Sequence, residues 1–180
     1  KSNLKLVILL KKNVVLTGMM GVGKSTIGKK LARKLKIKFI DLDKVIEKRE
    51  KNTIEHIFDV KGEDYFRKIE KKIALQELKK INVVIALGGG AFMNRYIRKG
   101  VEETAISFWL DLNLKSLLKR LKNSKKRPLL NQGNLHETVN KIYLERKKFY
   151  NQSNFRIKCN SINVNEITLK IIKLYENSKN

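Results

Sequence analysis

A three-layer α/β/α domain on a five-stranded parallel sheet is what this 180-residue sequence predicts, and three observations carry the prediction. Apolar runs of strand length alternate with segments of helical periodicity along the whole chain. One run, 82–87, is apolar from its second residue on, the pattern of a strand buried on both faces. A glycine loop with GxxxxGK(S/T) spacing, residues 18–26, joins the first apolar run to the first periodic segment. Such alternation covers both faces of a parallel sheet with helices and leaves ligands at the carboxyl ends of the strands.

The first strand is read at Asn13–Thr17 and the first helix at Lys24–Leu35, with Ile27, Leu31, Ala32 and Leu35 at helical spacing. A short strand over 37–40 ends at Asp41, and a helix follows over 43–50. Thr53 is placed to N-cap a segment over 54–58, which Lys61 and Gly62 separate from a longer helix over 63–80. That helix has a core stripe of Phe66, Ile69, Ile73, Ala74 and Leu78. Strand 82–87 runs into Gly88, Gly89 and Gly90. A short helix over 93–99, a strand over 104–110 with Trp109 in the core, and a helix over 112–121 come next. A polar stretch over 122–134 holds Pro128, the only proline. Helix Leu135–Tyr150, strand 155–157 and helix 163–176 close the chain, the last with Asn163 and Glu166 at N-cap and N3 spacing. Residues 1–180 are read as a single domain with its core over 12–177 and an N-terminal extension over 1–11.

Composition narrows the function. No apolar run approaches the about 20 residues of a membrane span, and the five-residue run in the first dozen residues is too short for a secretory core. The lone Cys159 forms no internal disulfide, which fits a reducing compartment and the cytoplasm, and it is expected as a small buried side chain. The net charge of +24 invites a nucleic-acid reading, but it comes from 32 Lys spread over every helix, without aromatic-basic interleaving. Against that lysine background the 9 Arg are informative, because arginine is kept where a planar, two-pronged donor is required.

In the glycine loop, Gly18, Gly21 and Gly23 let the backbone take positive φ, so that successive N–H groups point at one anion. The helix opening at Lys24 adds its dipole. Lys24 supplies charge to the β and γ phosphates, and Ser25 ligates Mg²⁺. Asp41 and Asp43, one residue apart at a strand end, are expected to point to one side by period-2 geometry. One would serve the metal and the other the accepting hydroxyl; the bland alternative is two acids at a helix N-terminus. Arg67 with Glu70 one turn on is either an exposed ion pair or an arginine aimed at a substrate carboxylate. Gly88–Gly90 are either a flexible turn or bare backbone for a substrate to lie against.

With GMMGVGKST at 18–26, DLD at 41–43, FRKIE at 66–70, GGG at 88–90, RPLL at 127–130 and ER at 145–146, the chain resembles the shikimate kinase family over about residues 12–175. The resemblance implies a P-loop kinase fold with a mobile lid at about 122–134. It also implies Mg²⁺-dependent transfer of the ATP γ-phosphoryl group to the 3-hydroxyl of shikimate in aromatic amino-acid biosynthesis. Position by position, it implies that Asp43, Arg67, Gly88, Gly89, Gly90 and Arg146 bind shikimate, with Arg67 and Arg146 on the carboxylate. Glu70 would support that site, and Phe58 and Phe66 would form its apolar wall. ATP would lie on Gly21, Val22, Gly23, Lys24, Ser25 and Thr26, with Arg120 near the adenine and Arg127 closing onto the phosphates. Ser25 and Asp41 would place Mg²⁺, and Asp43, Lys24 and Arg127 would carry catalysis. Asp43 either orients the acceptor hydroxyl or also accepts its proton. The loop 159–164 lacks the proline that several family members place beside the adenine.

Other small kinases of this fold, acting on gluconate or a nucleoside monophosphate, lack the FRxxE and GGG combination. A basic nucleic-acid-binding module is the rival of a different class, and a degenerate P-loop scaffold is opposed by the intact Lys24, Ser25, Asp41 and Asp43. ATP and shikimate are the expected partners, with no nucleic acid, no membrane and a monomeric chain.

Overall fold

The computed structural model describes residues 12–122, 134–160 and 162–178. Five strands, β1 (Asn13–Thr17), β2 (Lys38–Asp41), β3 (Val83–Ala86), β4 (Ala105–Asp111) and β5 (Phe155–Lys158), form one sheet. Their order is β2-β3-β1-β4-β5 and every pairing is parallel. Seven α-helices cover it in three layers: α1 (Lys24–Leu35), α2 (Leu42–Glu50), α3 (Ile54–Leu78), α4 (Arg95–Thr104), α5 (Leu114–Leu121), α6 (Leu135–Tyr150) and α7 (Val164–Asn177). The three inner strands are buried at every residue, which is why they read as mostly apolar runs, whereas β2 and β5 at the edges are partly exposed.

Register brings the motifs together. Leu16 of β1 and Asp41 of β2 both pair with Ala86 of β3, so the three strands end level. The glycine loop after β1, the acidic pair after β2 and the triple glycine after β3 therefore emerge side by side on one edge of the sheet. Asn13 fixes this register from the other end. Its Nδ2 donates to the Leu78 and Lys80 carbonyls at 3.3 and 2.5 Å, and its Oδ1 accepts from Val83 N at 3.2 Å, tying the end of α3 to the start of β3.

Several boundaries differ from the sequence expectation for local reasons. The segments expected over 54–58 and 63–80 are the two helical stretches of α3, the first running on to the kink at Gly62, whose φ 78° and ψ 170° are not helical, so the break falls where Lys61 and Gly62 were expected to place it. Met93 belongs to a 3₁₀ turn, Ala91–Met93, and α4 begins at Arg95 because the Asn94 side chain caps the amides of Tyr96 and Ile97. Asn113 likewise caps Ser116 N and delays α5 to Leu114. Thr104 closes α4, its hydroxyl donating to Gly100 O at 2.6 Å, so the next strand starts one residue late. Trp109 and Cys159 are buried as expected, and Asn163 with Glu166 forms a full capping box. Residues 123–133, with Arg127, Pro128 and most of the expected lid, lie outside the described residues, as does the extension 1–11.

Candidate active site

Gly18, Gly21 and Gly23 take φ of 132°, 79° and 101°, the left-handed and related conformations that a side chain resists. Gly23 is the N-cap of α1 and offers no side chain, and the first turn of that helix carries no acid. Every other α-helix is capped by a side chain: Asp41, Thr53, Asn94, Asn113, Asn134 and Asn163 in chain order. Among the described residues, the one bare N-terminus is thus the one that follows the glycine loop, where its amides and dipole are left for an anion. Lys24 folds back along the loop, its Nζ donating to the Gly18 and Met19 carbonyls at 2.7 and 2.9 Å. Arg120 reaches the loop from α5, Nη1 donating to Val22 O at 3.0 Å and Gly21 O at 3.4 Å. Val22 is buried beneath the loop, and Ser25 and Thr26 are exposed on the first turn.

Ser25 Oγ donates to Asp41 Oδ2 at 2.5 Å. Asp41 and Asp43 both face the cleft beside this pair, but not by strand alternation. Leu42 already begins α2 and is fully buried, so Asp41 is the helix N-cap and Asp43 lies in the first turn. The strand-to-helix turn does what period-2 geometry was expected to do. A cation that keeps most of its waters, as Mg²⁺ does, suits one hydroxyl and one carboxylate beside an anion cradle. Among the described residues no group of three or more His, Cys, Asp or Glu forms a fuller metal site.

A cavity of about 450 Å³ opens next to the loop. Ser25, Asp41 and Asp43 stand at one end, Phe58 and Phe66 form an apolar wall, and Arg67, Glu70, Arg146 and Gly88–Gly90 close the rest. The two phenyl rings pack with centroids 4.7 Å apart, and the Arg67 guanidinium lies over the Phe66 ring at 5.2 Å. None of the three adjacent glycines has positive φ, so they are not there for a turn. A Cβ on Gly88 would come within 2.6 Å of Asp43 Oδ1 and 2.9 Å of Glu70 Oε1, and one on Gly90 within 2.6 Å of Arg67 Nη1. These glycines make room for the charged side chains of the site. Their carbonyls are all turned into the protein: Gly88 O accepts from Ala91 N, Gly90 O from Met93 N, and Gly89 O from the Tyr150 hydroxyl. A Cβ on Gly89 would sit 3.2 Å from Met20 N, so the triple glycine lies beside the phosphate loop with no room for a side chain between them.

Arg67 Nη1 donates to Glu70 Oε2 at 2.7 Å, while Nε and Nη2 donate to Glu63 Oε1 at 3.0 and 2.9 Å. Glu70, 2% exposed, is no surface partner: burial pushes its carboxyl above the ordinary range, Arg67 and Arg146 oppose that, and Asp43 adds to it. Arg146 is 9% exposed, and its Nη1 is buried without a hydrogen-bond partner among the described residues. A buried guanidinium nitrogen left this way costs free energy unless something supplies an acceptor. Tyr150, one turn further along α6, is held neutral by burial, its pKa pushed up to about 12. Lys44, Glu47, Thr53, Ile54 and Glu55 also line the cavity, and the sequence reading did not select them. Glu63 and Tyr150 escaped it as well, although Glu63 stands at i−4 from Arg67 on the same helix.

The shikimate kinase family pattern matches residues 20–176 of the chain. A shikimate kinase of Sulfurihydrogenibium sp. (strain YO3AOP1) is 40% identical over 161 residues, covering 89% of this chain and 96% of that protein. One from Thermoanaerobacter pseudethanolicus is 35% identical over 164 residues, covering 91% of this chain and 96% of that protein. Among solved structures, a shikimate kinase from Acinetobacter baumannii in complex with shikimate superposes with a TM-score of 0.91 at 30% identity, covering 97% of this chain and 98% of that one. A deoxyadenosine kinase from M. mycoides, with a TM-score of 0.61 and 19% identity over 93% of this chain and all of that one, shares the fold.

Proposed function

Because the chain belongs to the shikimate kinase family, whose reaction moves a phosphoryl group from ATP to a hydroxyl of shikimate, we propose a residue-level account of how this cleft performs it. The observation that carries the account is the pair Arg67 and Arg146 in one cavity, the second with a buried nitrogen lacking a partner. A carboxylate entering there supplies the missing acceptor and receives a charge-assisted, two-pronged grip.

With the carboxylate held at that end, the ring lies against Phe58 and Phe66, and its hydroxyls meet Asp43 and the N–H groups of the triple glycine. Asp43 orients the hydroxyl that attacks and is placed to take its proton late in the transfer. The phosphates of ATP occupy the loop from Gly21 to Thr26, on the bare N-terminus of α1. Lys24 releases the Gly18 and Met19 carbonyls to reach them, and Arg120 lies on the nucleotide side. Ser25 and Asp41 would hold Mg²⁺, which when bound would supply charge neutralisation at the phosphate oxygens. Gly89 lies so near Met20 N that no side chain fits between them, which puts donor and acceptor in adjacent sites, and such placement, with cations over the transferred group, is what phosphoryl transfer chiefly needs. Arg127, outside the described residues, is assigned the last cation, brought in by the lid. We read the chain as a monomeric, cytoplasmic enzyme without nucleic acid, a single domain over 1–180 with its core at 12–177.

ADP release with Mg²⁺-ATP against shikimate, gluconate, AMP, CMP and no acceptor tests this account. Saturable turnover with shikimate alone, abolished by Asp43→Asn in a folded protein, is expected. Full activity of Asp43→Asn would remove Asp43 from the acceptor side.

A further inference from the structure

We propose that Glu63 is a positioning residue for the acceptor: by occupying the Nε/Nη2 edge of Arg67 it determines which donors that arginine presents to the substrate carboxylate. The proposal rests on the assignment of Arg67 to that carboxylate.

A guanidinium carries five N–H groups. In Arg67 the Nε–H and one Nη2–H go to Glu63 Oε1 at 3.0 and 2.9 Å, and one Nη1–H goes to Glu70 Oε2 at 2.7 Å. One N–H on each terminal nitrogen remains to meet a carboxylate. The ring faces of Phe58 and Phe66 and the bare Cα of Gly90 restrict the plane from other sides. Glu63 and Glu70 therefore divide the labour. Glu70 is buried and anchors the guanidinium from within, whereas Glu63, with its side chain 51% exposed, sits on the outer edge. A surface pair of this exposure contributes little to folding. Its consequence lies in orientation, because an unheld Arg67 could turn its side edge to the ligand or swing toward solvent through the neighbouring cleft that Glu63, Asn94 and Phe149 border. Glu63 also follows the Gly62 break, where an acid favours the helix N-terminus, and this is the competing structural role.

Steady-state kinetics of the full chain separate the two. Glu63→Ala should raise the KM for shikimate by about tenfold, the scale of one misplaced two-pronged contact, with kcat and the KM for ATP within about twofold. Glu63→Gln, which keeps an acceptor oxygen, should recover most of the loss. In an Arg67→Lys background, where the ammonium has no edge to hold, adding Glu63→Ala should change KM by less than about twofold. An effect equally large in both backgrounds would mean a helix-terminus role and overturn the proposal. Unchanged KM in Glu63→Ala beside a raised KM in Arg67→Lys would also overturn it, leaving Arg67 on the carboxylate. Unchanged KM in both variants would remove Arg67 from the carboxylate and the proposal with it.

Discussion

The two halves of the cleft are built from opposite materials. On the nucleotide side the ligand groups are backbone: left-handed glycines and the uncapped first turn of α1, with Lys24 stored against its own loop. On the acceptor side they are side chains, two arginines and two carboxylates in a partly apolar pocket, and the glycines there have ordinary φ and serve as vacant space. Phosphates are alike in every nucleotide, so a backbone cradle suffices for them. A particular small acid must be distinguished by charge placed at fixed points, and that requires side chains held by other side chains.

Removing the one side chain on which the backbone half depends should have the largest effect. Lys24→Ala is expected to lower kcat by about 10³-fold or more, the scale of a lost transition-state cation, while the thermal transition stays within a few degrees. Retained kcat would mean that the loop alone handles the phosphates. Next comes Arg67→Lys, which keeps the charge and loses the fork: the KM for shikimate should rise by roughly 10- to 100-fold with the KM for ATP unaltered. A smaller pair of variants sharpens the contrast between the glycines. Gly21→Ala forces a side chain to φ 79°, a strain of about 1–2 kcal/mol, and should lower Tm and weaken ATP. Gly90→Ala introduces no such strain, yet its Cβ would meet Arg67 at 2.6 Å, so shikimate affinity should fall while ATP affinity holds. Loss of ATP affinity in Gly90→Ala would mean that the two halves are not separable.

The backbone half was the more legible in the sequence, because a glycine loop between strand and helix encodes its conformation locally. Strand alternation and the buried run before Gly88 were legible for the same reason, as were the caps at Thr53 and Asn163. The acceptor half was legible mainly through resemblance. Nothing local says that Glu70 is buried while Glu63 is exposed, since both lie one turn from Arg67 and only the tertiary packing around α3 distinguishes them. The resemblance, not the arginine argument, singled out Arg146, and planar forks also serve the fold: Arg156 grips Asp111 through Nε and Nη2 at 3.0 and 2.7 Å while lying over Trp109, and Arg98 donates to the Phe92 and Met93 carbonyls. Asp41 and Asp43 were paired correctly for an incorrect reason, because a helix begins between them.

The smallest expected effect concerns what the side-chain half costs the fold. Burial raises the pKa of Glu70 above the ordinary 4.5, against the pull of Arg67 and Arg146, so the folded chain holds this proton more tightly than the unfolded chain does. The sign follows: the contribution of Glu70 to stability is greatest below the unfolded pKa and is lost as pH rises through the folded one. Glu70→Gln removes that dependence. Melting curves of the two proteins from about pH 4 to 8 should therefore diverge with rising pH, the variant gaining a few degrees of Tm relative to the parent as Glu70 ionises. The same variant should bind shikimate less well, because Arg67 loses its inner anchor and keeps only Glu63. A relative Tm that does not change with pH would mean that Arg67 and Arg146 fully compensate the buried carboxylate. The acceptor site would then impose no cost on the fold through this group.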